Sequence, residues 1–164
     1  FVPIRGNVET RLRKAQGPDY DGAVLAAAGV KRLGLSESIT EYLSPHLCAP
    51  APGQACLAVE VRTSDADTLM LARHLVHGPS AAAVEAERAI LRAAGGGCQL
   101  PLGALAEVEG ATMRLFATVT PIDGSASYRV EVTGDPAEPE MLGTAAYLEL
   151  VSQGAAELLM GESR

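Results

Sequence analysis

The sequence predicts an α/β segment followed by a small α+β domain, and three observations carry that prediction. The first is a short continuous apolar run, Ala23-Val24-Leu25-Ala26-Ala27, lying between two helix-patterned stretches, as a buried parallel strand would. The second is a row of three strand-length stretches, Leu102–Glu107, Met113–Thr120 and Ser127–Thr133. Turn signals at Glu109-Gly110 and Asp123-Gly124 separate them, which reads as an antiparallel meander. The third is helical patterning on both sides of that meander, at Pro79–Ala94 and Glu138–Leu159.

Taken in order, Phe1–Ile4 is apolar and strand-like and leads into Arg5-Gly6-Asn7. Asn7 is a natural N-cap for a helix running to about Gln16, where Gly17-Pro18 stops it. Asp21-Gly22 opens the apolar strand, Gly29–Leu35 makes a helical turn, and Ser36 caps a second helix to Leu43. Pro45, Pro50, Pro52 and Gly53 form the best linker in the chain. Ala55–Val61 reads as a strand, and Ser64-Asp65-Ala66-Asp67 caps a helix to about Leu75. His77-Gly78-Pro79 is a further break, and Pro79 suits the first turn of the Ala/Glu/Arg/Leu-rich helix that follows. Gly95-Gly96-Gly97 ends that helix, and the last one is either continuous or broken near Gly154.

Composition narrows the function classes. The chain has 164 residues, 48% hydrophobic and 20% charged, a globular balance with enough length for a real core. A formal charge of −7 argues against nucleic acid or an anionic membrane as main partner. No apolar run approaches the ~20 residues of a membrane span. Cys48, Cys56 and Cys98 form neither a disulfide framework nor a zinc pattern, which reads as a reducing, cytoplasmic setting. His46, His74 and His77 do not join them at ligand spacing, so no metal site is expected. The chain opens on Phe1, inside a strand-like stretch and without a secretory signal, as a fragment, a processed product or a designed piece would.

Local motifs go further. Arg5-Gly6-Asn7-Val8-Glu9-Thr10-Arg11 is followed by Leu25-Ala26-Ala27-Ala28-Gly29-Val30-Lys31-Arg32-Leu33-Gly34-Leu35. Next come Pro52-Gly53-Gln54 with Glu60, then Ala86-Glu87-Arg88, then Gly96-Gly97-Cys98-Gln99-Leu100-Pro101-Leu102-Gly103. In this order and spacing the chain resembles the C-terminal half of the porphobilinogen deaminase (hydroxymethylbilane synthase) family. The resemblance implies a transferase of three domains that joins four porphobilinogens head to tail. Ammonia is lost at each step, and linear hydroxymethylbilane is released by hydrolysis, in haem and other tetrapyrrole synthesis. It implies a periplasmic-binding-protein-like α/β domain, of which residues 1–49 are the second half. Residues 56–73 return to the first domain, and 78–164 form the third.

The family's cofactor is a dipyrromethane primer, and the resemblance places its covalent thioether on Cys98. The chemistry suits a cysteine: a thiolate is a soft nucleophile that traps an electrophilic azafulvene-type species as a durable thioether. The glycines before it end a helix and let backbone and cofactor approach closely. Cys48 and Cys56 are read instead as small buried hydrophobes. Every pyrrole brings an acetate and a propionate, and guanidinium groups bind carboxylates bidentately. The resemblance gives that task to Arg5, Arg11 and Arg32. Arg5 precedes a helix N-terminus, and Arg32 follows the apolar strand at an edge where open α/β sheets place ligands. Arg13, Arg62, Arg73, Arg92, Arg114 and Arg164 are read as solvated.

Gly53-Gln54 is expected to set a turn where domains cross, and Glu87 and Arg88 to tether the helix before the cysteine turn to a neighbouring domain. Gly95-Gly96-Gly97 lacks the lysine and Ser/Thr of a phosphate loop. The family's catalytic aspartate has no counterpart, so no catalytic group is expected within this chain. Gln54-Ala55-Cys56 departs from the family, which has glycine after the glutamine. The partners implied are porphobilinogen, the growing oligopyrrole and the missing N-terminal half. Two alternatives stand beside this reading: a non-catalytic binding or interaction domain that retains the fold, and a separate third domain preceded by largely disordered residues 1–77.

Overall fold

The computed structural model describes residues 2–54, 56–96 and 100–160. They fall into two compact units divided between Leu43 and Ser44.

In the first unit, helix α1 spans Val8–Ala15 and starts where the sequence predicts. The Asn7 side chain accepts from the Thr10 N–H at 2.8 Å, satisfying one donor of the first turn. Helix α2 covers Ala27–Arg32, with Val30 buried, and a 3-10 turn follows at Ser36–Ser38. Gly29 of α2 packs on Val8 of α1: a Cβ there would stand 3.5 Å from the valine Cγ2.

Three expectations fail in this unit. Residues 2–4 and 23–26 enter no ladder, and Ala27 begins a helix instead of ending a strand. A strand exists only against a partner, and none pairs with either run among the described residues, so Val24 is left 62% exposed. The helix expected over Ser36–Leu43 stops after its first turn. A short helix survives only by burying an apolar face, whereas Tyr42 and Leu43 are exposed and Ile39 and Thr40 are β-branched.

The second unit holds the α+β domain. Helix α4 (Gly78–Ala93) leads to strands β1 (Leu102–Glu109), β2 (Thr112–Val119) and β3 (Tyr128–Gly134). These form one antiparallel sheet in the order β1-β2-β3, the predicted meander. Helix α5 (Pro139–Leu150) follows. A π-helical turn at Val151–Ala155 then leads to α6 (Ala156–Met160). Gly154, with φ of 107°, breaks the helix where the sequence allowed a break.

Register explains the core. Leu102, Ala104 and Ala106 face Val119, Ala117 and Leu115 on one side of the sheet, and Val130 continues that side. Onto it pack Ile90 of α4, Leu142, Ala146 and Leu150 of α5, and Leu159 of α6. The two long helices cross closely at Gly143, where a Cβ would collide with the Ala86 carbonyl oxygen and the Ala89 methyl.

The proline-rich segment is no loose linker. It crosses the opposite side of the sheet, with Ala49 against Gly103 and the His46 ring edge-on to Phe116 at 4.4 Å. That cover leaves Phe116 only 7% exposed. The Pro50 carbonyl accepts from the Ala104 N–H at 2.9 Å, so the segment also covers part of the outer edge of β1.

Helix α3 (Ala66–Arg73) is capped by Asp65, whose carboxylate accepts from the Thr68 N–H at 3.0 Å. That bond, with a second from the Thr68 hydroxyl, holds the Asp65 pKa below its ordinary value. Residues 56–61 form no ladder, contrary to the predicted strand, and Leu57 is 93% exposed. Leu71, Leu75 and Val76 are also exposed. Cys48 and Cys56 are exposed, correcting the buried reading, because each lies on irregular backbone outside the packed layers. No helix among the described residues is long and apolar enough to cross a membrane.

The helix crossing gives a direct test. Gly143→Val is expected to lower stability by about 1–3 kcal/mol through overpacking, read as a lower denaturant midpoint.

Candidate functional site

The arginines expected to bind ligand begin at the turn before α1. Gly6 has φ of 130°, and a Cβ on it would run into the Thr10 side chain at 2.7 Å, so only glycine fits. The turn folds back along the helix. Arg11 Nε donates to the Gly6 carbonyl at 2.7 Å, and Lys14 Nζ donates to the Arg5 carbonyl at 3.0 Å. With the Asn7 cap, three side chains of one helix face (i, i+4, i+7) fasten three successive residues of the turn. Because Arg11 spends Nε on the main chain, its two Nη groups keep the fork that grips a carboxylate.

Arg5, Arg11 and Arg32 have no carboxylate within 4.0 Å among the described residues. Arg92 and Arg114 do. Arg92 pairs with Glu85 and Glu140, and Arg114 is ringed by Glu107 at 3.2 Å, Glu109 at 3.7 Å and Glu131 at 3.8 Å. The Glu107 hydrogen bond, then the charge of Glu109, raises the Arg114 pKa. That shallow hollow, also lined by His46 and Phe116, carries excess negative charge and does not suit a carboxylate-bearing ligand.

Arg32 lies in the last turn of α2, three residues beyond the Gly29 that packs on Val8. Arg5, Arg11 and Arg32 thus share one compact unit. Cys98, the expected thioether anchor, lies outside the described residues, as do Gly97 and Gln99. Its flanks are defined. Gly95 and Gly96 take φ of 86° and 75°, and the Gly96 N–H returns to the Leu91 carbonyl at 2.8 Å, closing the end of α4. On the other side the Pro101 carbonyl accepts from the Thr120 N–H at 3.1 Å, and Leu102 enters β1.

Both flanks are tied together by Glu87, 3% exposed on α4. Its carboxylate accepts from the Gly53 N–H at 2.6 Å and from the Ala106 N–H of β1 at 2.9 Å. Burial pushes the Glu87 pKa up, and the two N–H bonds oppose that shift by favouring the charged form. Glu87 is therefore a tether within its own compact unit, holding the Pro52-Gly53 turn and β1, and not the expected link to a neighbouring domain. Arg88, its expected partner in that role, is exposed. Lys14 was not singled out from sequence, although the Asn7/Arg11/Lys14 spacing is the signal that could have found it.

A guanidinium fixed to main chain beside a capped helix N-terminus is an arrangement chemically able to hold an anion. Two family models match the chain. Residues 1–70 match "Porphobilinogen deaminase, dipyromethane cofactor binding domain", and residues 81–152 match "Porphobilinogen deaminase, C-terminal domain". The chain belongs to the porphobilinogen deaminase family. Curated relatives named porphobilinogen deaminase agree over nearly its whole length. That of Thermus thermophilus is 47% identical over 95% of the chain and 52% of its own length. That of Roseiflexus castenholzii is 46% identical, over 98% and 53% respectively. That of Syntrophomonas wolfei is 44% identical, over 97% and 52%. The chain spans about half the length of the curated relatives it matches.

Glu87→Gln puts an amide between two N–H donors and leaves one buried donor unsatisfied, so stability is expected to fall by about 1–3 kcal/mol. A raised carboxyl pKa means the folded state holds its proton longer, so the contribution is largest below the ordinary value of 4.5. It is lost as pH rises through the raised folded pKa. The wild-type advantage over Glu87→Gln should therefore shrink across that range in urea titrations at successive pH values; growth instead would show that the folded pKa is lowered.

Proposed function

We propose that this chain supplies the cofactor-holding part of a porphobilinogen deaminase, a transferase that condenses four porphobilinogens into linear hydroxymethylbilane with loss of ammonia. The observation that carries the reading is the match to both family models, joined to the stapled Arg5–Arg11 turn within the part whose model is named for cofactor binding. When bound, the dipyrromethane supplies the terminal pyrrole on which the chain grows.

The residues present fit such a group. The Arg11 fork lies beside a capped helix N-terminus, a combination that stabilises carboxylates. Arg5 and Arg32 add charge for the acetate and propionate groups of cofactor and substrate. Cys98 follows a helix end closed by two glycines of positive φ, and it holds the primer by a thioether without driving each condensation. The group that assists departure of ammonia belongs to the half of the enzyme that this chain does not span.

The domain reading follows the same lines. Residues 1–49 are the second half of a periplasmic-binding-protein-like domain, 56–73 return to the first domain, and 78–164 form the third. Strand-like runs without ladders and the exposed Leu57, Leu71 and Leu75 support a missing half as partner, since open strand edges and apolar faces call for cover. The setting is cytoplasmic, and the ligands are porphobilinogen and the growing oligopyrrole, with no nucleic acid or membrane.

Intact-mass analysis tests the anchor. The complete enzyme should carry a two-pyrrole adduct on Cys98, and Cys98→Ala should lose both adduct and turnover; an unmodified thiol in active, freshly made protein would sink the assignment. For the arginines, Arg11→Leu should weaken substrate binding by about 1.5–3 kcal/mol per charged hydrogen bond lost. Unchanged steady-state kinetics would remove Arg11 from the site.

A further inference from the structure

We infer that Lys14, which neither the quoted motifs nor the expected site residues include, is a positioning residue for Arg5, and this rests on the reading of Arg5 and Arg11 just given. Side chains on a helix lean toward its N-terminus, so long ones at positions 11 and 14 reach back over the first turn. They meet there the two consecutive carbonyls that precede the cap. Arg11 Nε takes Gly6 O at 2.7 Å, and Lys14 Nζ takes Arg5 O at 3.0 Å.

The turn needs this fastening. Gly6 in a positive-φ conformation gives the backbone there the greatest freedom of any residue, and no other described hydrogen bond holds the Arg5 carbonyl. Without Lys14, the main chain that carries the Arg5 side chain is held only from Gly6 onward. With it, Arg5 and Arg11 project from one framework braced at residues 5, 6 and 7, so two guanidinium groups meet their carboxylates with less ordering left to do on binding. Lys14 also stands in the last turn of α1, where a cation favours the helix by itself. That second role affects folding stability and not the Arg5 side chain, so the two roles separate by experiment.

The test uses the complete enzyme: this chain together with the half of its relatives' length that it does not span. Porphobilinogen kinetics and thermal melting are measured for Lys14→Met, Lys14→Arg, Arg5→Leu, Arg11→Leu and the Arg5→Leu/Lys14→Met pair. Loss of one bracing hydrogen bond should raise KM by about 3- to 10-fold in Lys14→Met. Lys14→Arg, which keeps a cationic donor, should restore it. The double variant should be no worse than Arg5→Leu alone, because Lys14 acts through Arg5. An unchanged KM in Lys14→Met, with or without a lower melting temperature, overturns the inference. So does full additivity with Arg5→Leu. If KM is unmoved in Arg5→Leu and Arg11→Leu as well, the arginine reading itself fails; if those two variants respond and Lys14→Met does not, only the role of Lys14 falls.

Discussion

The packing of α4, β1 and the Pro52-Gly53 turn depends on one buried carboxylate. Glu87 reaches from α4 to the edge of β1 and to the Pro52-Gly53 turn, accepting one N–H from each. A buried charge is tolerable only when its lone pairs are met, and here both donors are main-chain groups that would otherwise lack acceptors at an edge and a turn. Helix, strand and turn thereby need one another. Removing the acid would strand two N–H groups at once, which is why a charged residue can occupy a place that an alanine helix would otherwise fill with a methyl.

The same economy of edges shapes the rest of that unit. β1 is an outer strand of the sheet, and its N–H groups at Ala104 and Ala106 go to the Pro50 carbonyl and to Glu87. Gly103 makes this possible, since any side chain there would displace Ala49. The outer edge of β1 is thus partly covered by a segment of prolines and by one carboxylate. Helix α4 and strand β1 hold the two ends of the Gly97-Cys98-Gln99 stretch on a packed, apolar scaffold.

The arginine turn follows a different logic. It is an exposed, polar structure whose order comes from hydrogen bonds along one helix face, not from burial. Each bond is individually modest, and their common result is directional. Positive charge in this acidic protein is unevenly matched: Arg92 and Arg114 are paired with glutamates, while Arg5 and Arg11, at the turn before α1 and on α1, have no carboxylate within 4.0 Å among the described residues.

The sequence by itself determined the elements whose stability is local or self-contained. The Asn7 cap, the α4 helix begun near Pro79, the three-stranded meander with its turns and the break at Gly154 all follow from patterns within a few residues, or from strands adjacent in the chain. The motif arginines and Cys98 were singled out from sequence, because residue type and spacing carried the family resemblance. Tertiary structure decided what depends on distant partners. Residues 23–27 and 55–61 read as strands, yet a ladder needs a second strand, and none pairs with these runs among the described residues. The proline segment read as a linker, yet it covers the sheet because Gly103 and Phe116 leave room and apolar surface for it. Glu87 read as a tether to a neighbouring domain; folding instead brought Gly53 and Ala106 of its own compact unit, 34 and 19 residues away in sequence, to its two oxygens.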